Sequence, residues 1–331
     1  MQPFPPSPVR SHPQWGMWAL VLVVALGAAA GITGGATVAS RGVLGAASAA
    51  PGPFGHLRDA DPCTLLQADR LRTFGETTLY PDFGIVAGCD AQVRVGGSGL
   101  VGVRLALETP TVAQVGGEPT TVGDLTVRRR VSVFAGSCSH QIITADGSRV
   151  EVTADGPPSG GSVCPMADVV VDGAVEVLSS GGVGRRDVSG PPNSLLDKDI
   201  CALVEPADLA VVPGVDPNRR EVGYGGWSCR FGLTPGQQTA PFAQLWTEFL
   251  GTRGVTDVIT VAGRVVGTYP AQTGAACSLS VQQRVFVGST GNRRTEALSV
   301  YVWGGRGADH AAACQSAQRL VERLVPKLPP I

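Results

Sequence analysis

Eight cysteines arranged in two similar sets constrain this 331-residue chain more than any other feature. The spacings within the first set are 26, 49 and 26 residues, and those within the second are 28, 48 and 37. Equivalent spacing of this kind is typical of an internal duplication. The first set consists of Cys63, Cys89, Cys138 and Cys164, and the second consists of Cys201, Cys229, Cys277 and Cys314.

Residues around the cysteines support the duplication. The segment Asp61-Pro62-Cys63 resembles Asp199-Ile200-Cys201, and Cys138-Ser139 resembles Cys277-Ser278. The last cysteine of each set opens a helical pattern of apolar residues, 165–178 in the first copy and 308–325 in the second. The order of these matches is the same in both copies, so we infer two tandem repeats of one fold.

The cysteines are expected to form disulfides. The chain has no CxxC pair, so the usual zinc-binding spacing is missing. Four cysteines allow three pairings within each repeat, and the sequence does not choose among them. Proximity along the chain favours joining the first cysteine to the second and the third to the fourth. Loops of this length would stabilise the fold by roughly 3–4 kcal/mol each in the chain-entropy model.

An apolar segment precedes all eight cysteines. Residues 17–39 contain no charge, and an uncharged run of 23 residues is long enough to cross a bilayer as a helix. We predict a single membrane helix with the N-terminus inside and the cysteines outside. The alternative is a signal peptide cleaved near 38–40 or 47–49, which would release a secreted protein.

These features predict the following organisation. After the membrane helix, each repeat reads as an α+β domain, an antiparallel sheet with helices packed on one face. The segment 242–250 has apolar residues at helical spacing, but its match to the alternating stretch at 102–108 favours a strand. The predicted parts are a cytoplasmic tail at 1–16, the membrane helix at 17–39, a linker at 40–56, the first extracytoplasmic repeat at 57–182, a linker at 183–196 and the second repeat at 197–331.

With its Asp-Pro-Cys-Thr-Leu-Leu opening at 61–66 and its four-cysteine repeats, the chain resembles an actinobacterial family of secreted and lipoprotein domains of unknown function. More remotely, it is similar to the extracytoplasmic sensor domains of mycobacterial receptor serine/threonine kinases. The resemblance covers about 58–331. It implies an envelope protein with a sensor-like α+β fold and supplies no catalytic residues. The chain departs from the lipoprotein members because no lipid-bearing cysteine follows its apolar segment.

Composition argues against several activities. The formal net charge is -1, whereas nucleic-acid binding needs a clustered excess of basic residues. Lys198 and Lys327 are the only lysines, so a phosphate-binding Walker loop is excluded, and four scattered histidines predict no metal site and no cofactor. A hydrolase would have to use Ser139 with His140, or an acidic pair. Because the matching position to His140 in the second repeat is Leu279, shared catalytic machinery is not expected.

Aromatic residues mark the second repeat. It contains ten of them, against four in the first repeat. On the strand near 297–303, Tyr301 and Trp303 alternate with aliphatic residues and would lie on the face away from the helices. We therefore predict a non-enzymatic membrane-anchored envelope protein that binds a ligand or partner; the alternatives are an envelope hydrolase and a scaffold subunit of an envelope complex. The candidate ligand-binding residues are Trp227, Trp246, Tyr301 and Trp303.

Overall fold

The computed structural model describes residues 52–96, 99–109, 117–130, 136–157, 162–232, 240–251, 257–269 and 275–331. The predicted tail at 1–16, the predicted membrane helix at 17–39 and most of the linker at 40–56 lie outside the described residues. In the part of the chain that is described, no helix is both long and apolar enough to span a membrane. The described residues, from 52 onward, belong to one compact unit.

Five helices and fifteen strands make up the described residues. The helices are α1 (Pro62–Leu66), α2 (Ala68–Leu71), α3 (Cys164–Ser180), α4 (Pro206–Leu209) and α5 (His310–Leu324). The strands are β1 (Glu76–Tyr80), β2 (Gly84–Ile85), β3 (Gly88–Val95), β4 (Gly99–Glu108), β5 (Pro119–Val122), β6 (Leu125–Arg130), β7 (Ser137–Ile143), β8 (Arg149–Asp155), β9 (Arg220–Val222), β10 (Ser228–Phe231), β11 (Phe242–Leu250), β12 (Asp257–Val261), β13 (Arg264–Tyr269), β14 (Ala276–Val287) and β15 (Arg293–Trp303).

The strands form two antiparallel sheets with the same order of strands. The first sheet runs β1-β3-β4-β8-β7-β6-β5, and the second runs β9-β10-β11-β15-β14-β13-β12. The long C-terminal helix of each repeat, α3 or α5, packs on one face of its own sheet. The predicted α+β class is therefore confirmed, and the topology extends the duplication from sequence to strand order. We call the other face of each sheet, away from α3 or α5, its open face.

Each repeat begins with the capped turn that its sequence predicts. The Asp61 carboxylate accepts a hydrogen bond from the Cys63 amide at 2.9 Å, and Pro62 occupies the first turn of α1, where its missing N–H costs nothing. In the second repeat, Asp199 accepts from the Cys201 amide at the same distance, and a 3-10 turn follows over Cys201–Leu203. The two turns place a cysteine at the same point of each fold.

Four disulfides join each starting turn and each long helix to its sheet. The pairs are those that proximity along the chain favours: Cys63–Cys89, Cys138–Cys164, Cys201–Cys229 and Cys277–Cys314. In each repeat, the first bond ties the opening turn to β3 or β10, and the second ties β7 or β14 to the long helix. Disulfides of this kind persist in oxidising compartments, which indicates an extracytoplasmic location for the folded repeats.

The segment with helical spacing is a strand, as the repeat predicts. Strand β11 pairs with β15 along its whole length, from Phe242 opposite Trp303 to Leu250 opposite Thr295. Side chains along β11 are alternately buried and partly exposed. Ala243 and Leu245 lie in the core under α5, so burial in a sheet overrides the local helical spacing.

The two sheets meet along β11. Strand β10 pairs with β11 only as far as Trp246, and the short strand β2 of the first repeat pairs beyond it, with Ile85 opposite Glu248. The core under the first sheet also takes in Tyr224, Trp227 and Phe249 from the second repeat. We call this junction, where β2 and β10 share the edge of β11, the seam.

A second contact holds the repeats together away from β11. Arg294 is 7% exposed, and its guanidinium lies 5.5 Å from the ring centre of Tyr80 and 5.1 Å from that of Phe83. Asp82, in the same turn, accepts hydrogen bonds from the amide and hydroxyl of Ser289. The turn after β1 therefore packs against the β14–β15 hairpin, and this contact holds the two repeats against each other.

Candidate functional site

A cleft of about 330 Å³ opens at the seam. The first repeat lines it with the residues around β2 and the ends of β4 and β8, and the second repeat lines it with β9, β10 and the first half of β11. This volume is at the lower end of the range for small-molecule sites, which commonly lie between domains. The lining residues that matter below are Glu108, Glu151, Glu221, Tyr224, Trp227, Arg230, Gln244, Trp246 and Thr247.

Two of the four predicted site residues line the cleft, and they differ in kind. Trp227 is 2% exposed, and its ring lies 5.5 Å from the Arg58 guanidinium and 5.6 Å from that of Arg186. Its indole N–H donates to the Leu196 carbonyl at 2.8 Å. Since both its ring and its N–H are held by the protein, Trp227 serves the packing of the seam and offers little surface to a ligand.

Trp246 is the half-buried aromatic residue in the cleft wall. Its side chain hydrogen-bonds to the Glu248 carboxylate, which also accepts from Ser299 and from Ser280. Burial raises the pKa of Glu248, although these hydrogen bonds and the charge of Arg104 oppose the rise. The shared carboxylate therefore helps to hold the indole in place in the cleft wall.

Arg230 is the cation of the cleft wall. Its Nε and Nη2 donate to the Gln244 side-chain oxygen at 3.2 and 3.1 Å, and its Nη1 lies 3.5 Å from a carboxylate oxygen of Glu221. The three side chains stand side by side on β9, β10 and β11, where Arg230 is opposite both Glu221 and Gln244 in register. Together they present a flat array of donors and acceptors next to Trp246.

The other two predicted residues lie beyond the cleft, on the open face of the second sheet. Tyr301 is opposite Gln244, and its ring centre lies 5.6 Å from that of Phe242. Trp303 is opposite Phe242, and its enclosed indole nitrogen has no hydrogen-bond partner among the described residues. All three rings are half-buried. They continue the line begun by Trp246, and we call these four side chains the aromatic row: Trp246, Tyr301, Phe242 and Trp303.

Strand register shows which residues of the first repeat match the aromatic row. Cys89 is opposite Leu105 as Cys229 is opposite Leu245, and Leu105 is opposite Val152 as Leu245 is opposite Val300. Counting from these pairs, each aromatic residue has a non-aromatic counterpart. The matches are Ala106 for Trp246, Gly102 for Phe242, Thr153 for Tyr301 and Asp155 for Trp303.

Two hydroxyl groups are enclosed behind the cleft wall. Those of Tyr224 and Thr247 have no hydrogen-bond partner among the described residues. Burial raises the pKa of Tyr224, so its hydroxyl stays protonated at neutral pH. Buried polar groups without partners cost stability and are uncommon in folded proteins. Two polar groups behind the cleft wall are therefore without partners among the described residues.

The residues considered for hydrolysis are separated. Ser139 and His140 are neighbours on β7, so their side chains point to opposite faces of the sheet. The Ser139 hydroxyl donates to Glu151 at 3.2 Å on the open face, whereas the His140 Nε2 lies 2.7 Å from Asp168 of α3 on the other. A serine and a histidine so placed do not form a nucleophile and base pair.

Sequence reasoning named Trp246 as a candidate and did not name the residues around it. Arg230, Gln244 and Glu221 come from three strands and converge only through sheet register, which leaves no trace in local spacing. One signal was present in the sequence. In the short strand β10, Arg230 lies between the buried Cys229 and Phe231, so alternation places its side chain on the open face of the sheet. Among the described residues, no group of three or more histidine, cysteine or acidic side chains could hold a metal ion.

Comparisons with known proteins identify no relative. No protein-family model matches this chain, and neither does any curated protein. Among solved structures, the crystal structure of DynU16, a protein in the dynemicin biosynthetic locus, is similar at 14% sequence identity. The match covers 82% of this chain and 94% of DynU16, with a TM-score of 0.16, which is too low to support an argument about fold or function.

Proposed function

We propose that this chain is a membrane-anchored, extracytoplasmic protein of the cell envelope whose ligand binds in the cleft at the seam. The disulfide framework supports an oxidising location, and the uncharged run at 17–39 supports anchoring by a single helix. The resemblance to envelope domains and to sensor domains of receptor kinases belongs to this proposal. The protein would act by binding, without catalysis.

The observation that carries the proposal is the placing of Trp246. At its matched position in the first repeat, the same fold is built with Ala106, so the framework does not need an aromatic residue there. In the second repeat, the indole stands in the wall of a cleft, oriented by Glu248 and flanked by the array of Arg230, Gln244 and Glu221. Side chains that the fold does not require, but that are held in order beside a cavity, are typical of a binding site.

The binding claim is tested by native mass spectrometry of the full chain extracted in mild detergent from cells that make it. We expect a small molecule bound to the wild-type protein and lost from Trp246→Ala and Arg230→Ala. Arg94→Ala is the control, because Arg94 is exposed on β3 and its contact is a surface ion pair with Glu76 at 3.6 Å. Failure to find a bound molecule, or its retention in both cleft variants, would contradict the proposal.

The anchoring claim has its own test. Membranes from the same cells should retain the chain after a high-salt wash, and protease added from outside should digest the repeats. In a variant whose segment 17–39 is replaced by a cleavable signal peptide, the repeats should be exported and released as a soluble protein with its disulfides formed. If the wild-type chain is instead cleaved between residues 38 and 50 and released from the membrane, the segment is a signal peptide.

A further inference from the structure

We infer that the ligand is a carbohydrate chain, with one sugar unit in the cleft and the following units along the aromatic row. This inference rests on the proposed function, because it assigns a chemical class to the same cleft and extends the site beyond it. Three properties of the described residues support it: the chemistry of the cleft wall, the balance of its charges, and the direction of the row.

The wall offers the two kinds of contact that a sugar uses. A sugar ring has apolar C–H faces, which pack against aromatic rings, and hydroxyl groups around its rim. Trp246 supplies the ring, and Arg230, Gln244 and Glu221 supply planar polar groups beside it. Each sugar hydroxyl both donates and accepts, so one unit can bond to guanidinium, amide and carboxylate groups together.

The charges disfavour an anionic ligand. Three carboxylates line the cleft, those of Glu108, Glu151 and Glu221, against the guanidinium of Arg230, so a phosphate or carboxylate ligand would be repelled. Within the protein, Glu221 is paired with Arg230 and Glu151 accepts a hydrogen bond from Ser139, so these two carboxylates already have polar partners. A polyhydroxyl ligand satisfies these groups without adding charge.

The aromatic row extends the site in one direction. Trp246 and Phe242 are on the same face of β11, four residues apart, which corresponds to about 13 Å along a strand. Tyr301 and Trp303 accompany them on the neighbouring strand, opposite Gln244 and Phe242. A line of half-buried rings leading away from a cleft fits a chain of linked rings better than a single small molecule.

The first repeat shows that the row is not needed for folding. Its matched positions carry Gly102, Ala106, Thr153 and Asp155 on the same strand order and with the same disulfides. There the open face forms a smaller cavity of about 180 Å³, which Arg104, Asp90 and Asp155 make strongly polar. The aromatic residues are therefore specific to the open face of the second sheet.

The test is isothermal titration calorimetry of the full chain with neutral saccharides of one to four units: oligomers of N-acetylglucosamine, glucose, mannose and arabinose. A polyoxyethylene detergent is used, because maltoside and glucoside detergents carry sugars. We expect at least one series to bind, with affinity rising at least tenfold from one unit to four. Trp246→Ala should weaken binding at every length at least tenfold, and Trp246→Phe should restore part of it.

Trp303→Ala separates the row from the cleft. It should weaken binding of the four-unit saccharide and leave the single unit unchanged, whereas Gln92→Ala, in the smaller cavity of the first repeat, should change neither. The inference is overturned if no series binds, or if binding is indifferent to Trp246→Ala. If no saccharide binds while a bound molecule is still found by mass spectrometry, the cleft holds another class of ligand and the proposed function stands; if both are lacking, both fall.

Discussion

The open face of the first sheet carries an ion pair, Arg104 with Asp90 at 2.9 Å, whereas the open face of the second carries the aromatic row. Strand order, disulfide positions and the helix on the opposite face are the same in both. The framework that the disulfides join is thus common to the two repeats, whereas the open faces of their sheets carry different side chains. This contrast separates residues that build the fold from residues that the fold merely presents.

The largest expected effect distinguishes two tryptophans of the second repeat. Trp227→Ala should lower the free energy of unfolding by about 3–5 kcal/mol, because it removes a buried ring from the core at the seam. Trp246→Ala should cost less, about 1–2 kcal/mol, since its ring is only partly buried in the cleft wall. Urea unfolding followed by near-UV circular dichroism measures both. Equal losses would mean that Trp246 also belongs to the framework and would remove the contrast.

The next prediction tests whether the two frameworks are equivalent. Removing Cys63–Cys89 by a double alanine substitution, or Cys201–Cys229 in the same way, opens loops of 26 and 28 residues. Each loss should cost about 3.5 kcal/mol in the chain-entropy model, because the two loops are nearly the same length. Both doubles are compared with wild type by the same urea unfolding. A difference above about 2 kcal/mol between them would show that the repeats do not depend equally on their disulfides.

Two buried threonines, one without and one with hydrogen-bond partners among the described residues, give smaller effects of opposite sign. Thr247→Val should stabilise the protein by about 1 kcal/mol, because it replaces an enclosed hydroxyl that has no partner with a methyl group of similar size. Thr144→Val in the first repeat should destabilise by about 1 kcal/mol, since the Thr144 hydroxyl bonds to Asp146 and to the Ser148 carbonyl. Thermal unfolding of the two variants measures the difference. Destabilisation by both would place a hydrogen-bond partner at Thr247.

The smallest effect concerns pH. Burial raises the pKa of Glu248 above its ordinary value of 4.5, so the folded chain holds a proton that the unfolded chain releases. The contribution of this group to stability therefore falls as pH rises from 4.5 through the raised pKa. Glu248→Gln removes that dependence, and the variant should gain stability relative to wild type as pH rises from 4.5 to 8.

The control for this variant is Glu76→Gln, which removes one carboxylate from a side chain that is 78% exposed. Urea unfolding of wild type and both variants across the pH range gives the comparison. A difference between Glu248→Gln and wild type that is constant with pH would mean that Glu248 titrates alike in the folded and unfolded chains.

Much of the framework can be predicted from the sequence because each element occurs twice, so a segment whose own pattern is ambiguous can be assigned from its match in the other repeat. The strand at Phe242–Leu250 is the clearest case, since its own spacing suggests a helix and only the match to the first repeat corrects it. The opposite faces of the strand near 297–303 follow from simple alternation: Leu298, Val300 and Val302 lie in the core, and Tyr301 and Trp303 lie on the open face.

The seam cannot be predicted in this way. Strand β2 has two residues, and its pairing with β11 joins positions more than 160 residues apart without any periodic pattern. The same holds for Arg230, whose partners are brought together by register alone, and for Trp227, whose burial depends on arginines from the first repeat and the linker. Local sequence rules describe each repeat, whereas the site arises from the contact between repeats.

Peptide mapping under non-reducing conditions, on the full chain isolated from membranes with its thiols blocked, tests the central claim of two matched, separately oxidised folds. The account predicts four linked peptides and no blocked thiol, with every bond inside one repeat: Cys63–Cys89, Cys138–Cys164, Cys201–Cys229 and Cys277–Cys314. Eight blocked thiols, or bonds that join one repeat to the other, would contradict it.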